Sequence, residues 1–187
     1  NTGSESKGEL NLLTWEGYVP EGVVKKFEEE TGIKINYSAA SDNESMMAKV
    51  QADKGAFDII IISDYIIPSM IDEGLLKEFD KSKLSNFGNI DPSFQGQACD
   101  LENKYTIPYT SSSAILAYDS AAIDFVPTGY ADLWRPELGN SLVLLDADRD
   151  VVGFTLQMLG YSLNDTDPSH LLEAQEKLLE LKPNVIG

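Results

Sequence analysis

The chain has 187 residues and a formal net charge of −17, with 31 acidic residues against 14 lysines and arginines. This length permits one large domain or one domain with part of another, and such an acidic chain is a poor partner for nucleic acid or an anionic membrane surface. The single cysteine, Cys99, excludes an intrachain disulfide and a metal cluster built on cysteines, and we interpret it as an unreactive loop thiol.

No stretch approaches the roughly 20 apolar residues that a membrane span requires. The chain also lacks an N-terminal charged and apolar leader, so we expect a mature or trimmed product. Residues 1–7 are small and polar, which is typical of a flexible N-terminal tether.

The first part of the chain alternates strand and helix patterns. Residues 10–15 form an apolar run, and residues 20–32 follow with a proline at the start, an apolar face and a glycine at the end. Residues 33–37 alternate apolar and polar side chains, residues 43–52 carry apolar side chains at helical spacing, and residues 57–62 predict a strand buried on both faces. With the helix that follows, this is a βαβαβα unit, for which parallel strand pairing is the expected geometry.

The next segments alternate less clearly. Ser63 or Asp64 is expected to cap a helix that has Pro68 in its first turn and ends near Gly74. Residues 80–103 are polar and rich in turn formers, which predicts a surface segment.

Residues 105–118 are expected to be extended and to cross between two lobes. Beyond them, residues 132–137 predict a loop or short helix and residues 142–145 another buried strand. Helices are predicted over residues 151–159 and 168–181.

Two of the predicted strands end in turns that combine an aromatic side chain with an acid. The turns contain Trp15, Glu16 and Tyr18 in one case and Ser63, Asp64 and Tyr65 in the other. Ligands of open α/β sheets bind outside the carboxyl ends of the strands, so both turns are expected to face one site. Aromatic rings with carboxylates suit an organic cation. The alternatives are that the aromatics only cover the rim and that Ser63 and Asp64 only cap a helix.

Catalytic and metal-binding interpretations have weaker support. His170 is the only histidine and has no serine or cysteine elbow nearby, so we expect an exposed surface histidine. Asp146, Asp148 and Asp150 could form a glycosidase pair or begin a calcium loop, but Arg149 between them and the missing glycine and glutamate argue against calcium. The first strand-helix turn also lacks a glycine-rich phosphate cradle. We therefore predict no catalytic residue, metal or cofactor.

An ordered series of motifs resembles the extracytoplasmic spermidine/putrescine-binding proteins of polyamine ABC importers. The motifs are residues 13–20 (LTWEGYVP), 27–32 (FEEETG), Tyr37, 41–46 (SDNESM), 57–58 (FD), 63–65 (SDY), 107–109 (IPY), 131–134 (ADLW) and 145–151 (LDADRDV). The similarity extends from about residue 8 to the end of the chain.

The resemblance implies an α/β, two-lobed fold like that of periplasmic binding proteins, with mostly parallel sheets flanked by helices. On that basis residues 1–7 are a tether, residues 8–118 are the first lobe with a crossing strand, and residues 119–187 are part of a second lobe. An incomplete second lobe would expose apolar surface, so we expect a homodimer.

The resemblance also implies a set of ligand contacts. The matching positions are Trp15 and Tyr18 for an aromatic box, Ser63 and Tyr65 for first-lobe polar contacts, and Asp146 and Asp150 for second-lobe acids. Gly17 stands where the family usually has an acid, with Glu16 one position earlier, and Ala147 replaces a second acid.

By the same resemblance the chain binds a linear polyamine without catalysis and delivers it to an ABC transporter permease. Its place is outside the cytoplasmic membrane, either in the periplasm or as a lipoprotein tethered to the outer face. The alternatives are a two-lobed binder of another small solute, a hydrolase that uses the acid cluster, and an interaction module.

Overall fold

The computed structural model describes residues 8–187, and the tether predicted at residues 1–7 lies outside that part. The chain divides into two compact units, Asn1–Ser111 and Ser112–Gly187. The division falls among three consecutive serines within residues 107–119, which have no regular secondary structure. The domain bounds expected from the sequence, with the first lobe ending at residue 118, stay a prediction.

The first unit contains a three-stranded parallel sheet with helices between its strands. Its elements are β1 (Glu9–Trp15), α1 (Glu21–Thr31), β2 (Lys34–Ala40), α2 (Asn43–Ala52), β3 (Ile59–Ile60) and α3 (Ile67–Asp72). The strand order is β2-β1-β3, and both pairings are parallel. The predicted βαβαβα unit is therefore confirmed.

The core of the first unit lies where β1, α2 and α3 meet. Its buried members are Leu13, Met46, Val50, Ile66 and Met70. Their burial removes apolar surface from water, which is the main force that holds the helices on the sheet. Two aromatic side chains named from the sequence, those of Trp15 and Tyr65, pack against this same cluster from its edge.

Local signals fix the ends of α1 and α2. Gly32 ends α1 with φ of 72°, a left-handed conformation that glycine adopts without a Cβ clash, and its N–H donates to the Glu28 carbonyl at 2.9 Å. Asp42 caps α2 by accepting the Ser45 N–H at 2.7 Å, and this hydrogen bond lowers the pKa of its carboxyl. The predicted apolar face of α1 is covered less than expected, because none of its residues is buried.

The third strand is shorter and more exposed than predicted. The apolar run at residues 57–62 forms a strand only at Ile59–Ile60, and Ile59 is 48% exposed. Burial on both faces was therefore a wrong prediction. β3 is at the edge of the described sheet and pairs with β1 alone, so a large part of its surface has no covering element among the described residues.

Residues 80–103 form irregular structure, as their polar composition predicted. Short 3₁₀ turns occur at Lys81–Lys83, Phe87–Asn89 and Pro92–Phe94. This segment is not purely a surface loop, however, because Asp100 and Asn103 are buried.

Asp100 organises residues 96–106, which we call the Asp100 loop. Its carboxylate accepts the backbone N–H groups of Lys104, Tyr105 and Thr106 at 3.1, 2.8 and 2.9 Å and the Thr106 hydroxyl at 3.0 Å. Burial opposes ionisation of Asp100, but these donors outweigh it and lower the pKa of the carboxyl. Asn103 also stabilises this loop, because its side-chain oxygen accepts the Gly96 N–H at 2.8 Å.

The second unit is built on two helices, α4 (Asp148–Met158) and α5 (Pro168–Leu181). Leu156, Ala174 and Leu181 are buried between these elements and their neighbours. Short 3₁₀ turns occur at Tyr130–Trp134, Pro136–Leu138 and Lys182–Asn184. The predictions of a short helix near residue 132 and of both later helices are confirmed, although α4 begins three residues earlier than expected.

The strand predicted at residues 142–145 is not a buried strand. One parallel bridge joins Leu142 to Val185, and Val143 and Leu145 are 74% and 71% exposed. This segment pairs with residues 184–187 alone, and no described element covers the outward side chains. Burial of an extended segment depends on such neighbours, which a local apolar pattern cannot reveal.

His170 is also less exposed than the sequence predicted. It is half-buried, its ring stacks on Tyr161 with centroids 3.8 Å apart, and its Nδ1 lies 3.0 Å from Asp165 Oδ2. These contacts come from the turn before α5 and account for its partial burial.

Candidate functional site

The carboxyl ends of the three parallel strands lie along one edge of the first unit. Trp15 at the end of β1 is paired with Ala40 at the end of β2, and Leu13 is paired with Ile60 at the end of β3. The segments that leave this edge are the turn at residues 15–18, the start of α2 and residues 61–66. We call this region the strand-end edge.

The turn after β1 is closed by a hydrogen bond from the Tyr18 N–H to the Trp15 carbonyl at 3.3 Å. Gly17 is the third residue of this turn and has φ of 72°, in the left-handed region that favours glycine. This conformation gives a physical reason for glycine at the position. The Tyr37 hydroxyl also donates to the Trp15 carbonyl, at 2.6 Å, and joins β2 to the turn.

Three aromatic rings follow one another at this edge. The Trp15 and Tyr18 centroids are 6.2 Å apart with a 36° interplanar angle, and those of Tyr18 and Tyr109 are 6.5 Å apart with a 35° angle. The Tyr109 hydroxyl donates to the Tyr18 carbonyl at 2.9 Å. Trp15 is half-buried, whereas Tyr18 and Tyr109 are exposed. We call these three residues the aromatic row.

A polar network lies at the end of β3 and the start of α2. The buried Asn43 donates through Nδ2 to Ser63 Oγ at 3.1 Å and to the Tyr65 hydroxyl at 2.9 Å, and its Oδ1 accepts the Ser63 N–H at 3.0 Å. The Tyr65 hydroxyl in turn donates to Glu44 Oε1 at 3.1 Å. Ser63 and Tyr65 were predicted as ligand contacts. Their hydrogen-bond partners, Asn43 and Glu44, were not.

The acids of the first unit differ in their surroundings. Glu16 and Asp64 are both exposed. Burial raises the pKa of the Cys99 thiol, and the nearby charge of Asp64 raises it further. A raised pKa leaves less thiolate at neutral pH, which agrees with Cys99 as an unreactive thiol.

The predicted acids of the second unit lie around the start of α4. Asp146 is exposed in the preceding loop, and Asp148 and Asp150 are in the first helical turn. Carboxylates at this position are stabilised by the helix dipole, so Asp150 contributes to the helix whether or not it meets a ligand. Arg149 between them donates to Asn164 Oδ1 at 2.8 Å. Within residues 8–187, no cluster of three or more histidine, cysteine or acidic side chains is arranged to hold a metal.

Sequence reasoning missed Tyr37, Asn43, Glu44 and Tyr109 as members of this arrangement. All four lie within motifs that carried the family resemblance: Tyr37 itself, residues 41–46 and residues 107–109. The motifs were therefore the available signal, but the part each residue plays depends on contacts between distant segments.

Comparison with known proteins gives the family. Residues 22–187 match the family model of the bacterial extracellular solute-binding proteins. The chain belongs to this family. The motif resemblance and the α/β fold class expected from the sequence are confirmed.

Several proteins similar to this chain are named for binding polyamines. The chain is 43% identical to the spermidine/putrescine-binding periplasmic protein of Salmonella typhimurium, over 94% of this chain and 51% of the relative. It is 40% identical to the protein of the same name from Escherichia coli K12, over 97% of this chain and 53% of the relative. The chain therefore spans about half the length of the curated relatives it matches.

A solved structure of a protein named for spermidine and putrescine has a similar fold. The spermidine/putrescine ABC transporter substrate-binding protein of Streptococcus pneumoniae has a TM-score of 0.75 and 37% identity, over 95% of this chain and 55% of that one. The name of this third protein describes it as the substrate-binding protein of an ABC transporter. Among the described residues, no helix has both the length and the apolar character that crossing a membrane would need.

Proposed function

We propose that this chain binds linear polyamines of the spermidine and putrescine class. The aromatic row at the strand-end edge is the observation that carries the proposal, because it lies in a chain 43% identical to a protein named for binding these solutes. The chain would act in the substrate-binding component of an ABC importer, outside the cytoplasmic membrane, with the permease as its protein partner.

The aromatic row has the chemistry that a polyamine needs. Such a ligand is a chain of methylene groups with ammonium groups, so it is best held by flat apolar faces and by negative charges. Each ammonium over an aromatic face contributes about 0.5 to 2 kcal/mol, with the larger value where water is excluded. Trp15 and Tyr18 are assigned to the ligand stem in this proposal, and Tyr109 extends the surface beyond them.

The proposed polar contacts are hydroxyl groups and carboxylates. In the first unit, Ser63 and Tyr65 are assigned to an ammonium group, with Glu16 and Asp64 as further negative charges at the same edge. Asp146 and Asp150, around the start of α4, are assigned by the family resemblance to an ammonium group. A charge-assisted hydrogen bond to a carboxylate is roughly twice as strong as a neutral one, so these acids would set the preference for a cation.

We propose binding without chemical conversion of the ligand. The substrate-binding names of the relatives support this, and so does the environment of His170, which is stacked on Tyr161 and placed beside Asp165 rather than beside a nucleophile. Asp146, Asp148 and Asp150 are all exposed and lie around the start of one helix, whereas the two carboxyl groups of a glycosidase flank the bond that is cleaved.

The test is the melting temperature of the chain with spermidine, putrescine or magnesium chloride at matched ionic strength. A ligand that binds only the folded state raises the midpoint, and at 100 times its Kd it stabilises by about 2.7 kcal/mol. We expect both polyamines to raise it and magnesium not to. Trp15→Ala and Asp146→Asn should each remove most of the rise. The control is Phe94→Ala, which removes an exposed ring from the 3₁₀ turn at Pro92–Phe94 and should retain the rise. An equal response to magnesium, or none to polyamine, would contradict the proposal.

A further inference from the structure

We infer that Glu44 is the carboxylate with which the first unit binds an ammonium group of the ligand. The inference rests on the proposed function and goes beyond it, because Glu44 belongs to none of the ligand contacts assigned from the family resemblance. It follows from the direction of the hydrogen bonds around Tyr65.

Asn43 fixes the orientation of the Tyr65 hydroxyl. Its side-chain amide has two protons, and it donates to Ser63 Oγ and to the Tyr65 oxygen at 3.1 and 2.9 Å. Its carbonyl oxygen accepts the Ser63 N–H, which leaves the amide only one orientation that satisfies all three contacts. Asn43 is 6% exposed, so leaving any of these groups unpaired would be costly.

Because the Tyr65 oxygen accepts from Asn43, its own proton is available to Glu44. That proton is donated to Glu44 Oε1 at 3.1 Å. An ionised carboxylate has about four acceptor positions, and this bond uses one of them. Glu44 is exposed, so its remaining acceptor positions are open to a cation from solvent. The hydrogen bond from Tyr65 therefore orients Glu44 without neutralising it.

The other acids at the strand-end edge are less suited to this role. Asp42 already accepts the Ser45 N–H and the hydroxyls of Ser41 and Ser45 as the cap of α2. Asp64 is exposed, and no hydrogen bond among the described residues holds its carboxylate in one orientation. Glu16 is exposed in the turn after β1, and among the described residues no hydrogen bond holds its carboxylate in one orientation. Of these four acids at the strand-end edge, Glu44 combines exposure with a single hydrogen-bond donor that positions it.

Glu44 also lies near the position where this chain departs from the family pattern, at Gly17. The acid that the family usually has before the tyrosine is missing there. Glu44 follows the end of β2 and lies at the same strand-end edge, so it supplies a negative charge from a neighbouring segment. It lies in the first turn of α2, next to the positive end of the helix dipole.

The test is calorimetric titration of spermidine and putrescine into the unsubstituted chain and into Glu44→Gln. Glutamine keeps the size and an acceptor for Tyr65 but removes the charge. We expect affinity to fall by about 10- to 100-fold, the range for a hydrogen bond to a charged group. The melting temperature without ligand should not change, and the dependence of affinity on salt should become weaker. Glu44→Asp, which retains the charge, should recover part of the affinity.

Glu29→Gln is the matched control, since it removes an exposed glutamate charge from α1. It should bind both ligands like the unsubstituted chain. If Glu44→Gln also binds like the unsubstituted chain, the inference about Glu44 is wrong while the proposed function stands. If the unsubstituted chain binds neither polyamine, the proposed function is wrong and the inference is overturned with it.

Discussion

Tyr109 reaches the turn after β1 from 91 residues further along the chain. Its ring extends the aromatic row, and its hydroxyl holds the Tyr18 carbonyl, so it acts on Tyr18 through both the side chain and the backbone. The family motif at residues 107–109 marked this tyrosine, but only the folded chain shows what it contacts.

Tyr109→Phe should therefore weaken polyamine binding while leaving the ring in place. The lost hydrogen bond corresponds to about threefold to tenfold in Kd, because one neutral hydrogen bond contributes roughly 0.5 to 1.5 kcal/mol. The measurement is calorimetric titration with spermidine. Tyr118→Phe, at another exposed tyrosine, is the control, and equal weakening in both variants would show that Tyr109 has no special role.

Asp100 is the second residue whose role depends on the folded chain. Its pKa is lowered, because the hydrogen bonds that it accepts outweigh the effect of its burial. A carboxyl with a lowered folded pKa stabilises the fold at pH values above its unfolded pKa of about 3.9, and this stabilisation is lost as the pH falls through the folded value.

Asp100→Asn should lower the free energy of unfolding at neutral pH by about 1 to 3 kcal/mol, because buried N–H donors lose a charged acceptor. The difference from the unsubstituted chain should narrow as the pH falls below about 4, because the unfolded chain then takes up a proton more readily than the native carboxyl does. Urea unfolding at neutral and acidic pH measures this. Glu30→Gln on the surface of α1 should show neither effect, and a constant difference at every pH would contradict the prediction.

Among the elements, helices were predicted more accurately than strands. The ranges of α2 and α5 were predicted to the residue, because the signals for a helix lie within or directly beside each segment. β3 and residues 142–145 were predicted as buried strands because of their apolar runs. Their exposure follows from which segments lie beside them, and that information is not local.

In the candidate site, too, features that depend on local sequence could be predicted and contacts between distant segments could not. The positions of Trp15, Tyr18, Ser63 and Tyr65 at strand ends could be predicted, since strand ends follow from the alternation of elements. Their partners could not. Asn43 is twenty residues from Ser63 in the sequence, and nothing in either segment alone indicates the hydrogen bonds that join them.

Two glycines of α1 and its C-terminus test how backbone conformation affects the stability of this element. Gly32→Ala should destabilise the chain by about 1 to 2 kcal/mol, because an L side chain at a left-handed φ meets its own backbone. Gly22→Ala is in the same helix, where the added Cβ has nothing within 4 Å, and should stabilise by about 0.4 to 1 kcal/mol. Urea unfolding of the two variants should give changes of opposite sign, and changes of the same sign would contradict this reasoning.

At the scale of the whole molecule, a large negative charge coexists with exposed apolar surface. The second unit has an open groove of about 570 Å³ whose apolar lining includes Leu144, Val152, Leu171, Leu178, Leu179 and Val185. Leu179 is 65% exposed and Val143 beyond the groove is 74% exposed. The homodimer expected from the sequence stays a prediction, and this surface supports it.

If two copies pair through this surface, their association should strengthen with salt. Each copy carries a formal charge of −17, and mutual repulsion is screened beyond about 10 Å at 0.1 M ionic strength. Light scattering should show a larger dimer fraction at high ionic strength, reduced in Leu179→Glu. Val23→Glu, which places the same charge on an exposed apolar position of α1, should associate like the unsubstituted chain. A monomer at every ionic strength would rule out the dimer.

The surroundings of Cys99 have a practical consequence. It is the only thiol in the sequence, it is half-buried, and it sits next to the buried residue that ties the Asp100 loop together. Alkylating reagents react with the thiolate, which burial and the charge of Asp64 both disfavour. The rate of alkylation should then follow how often this loop opens. The alkylation rate of Cys99, measured by mass spectrometry, therefore reports local unfolding of the Asp100 loop without an engineered cysteine.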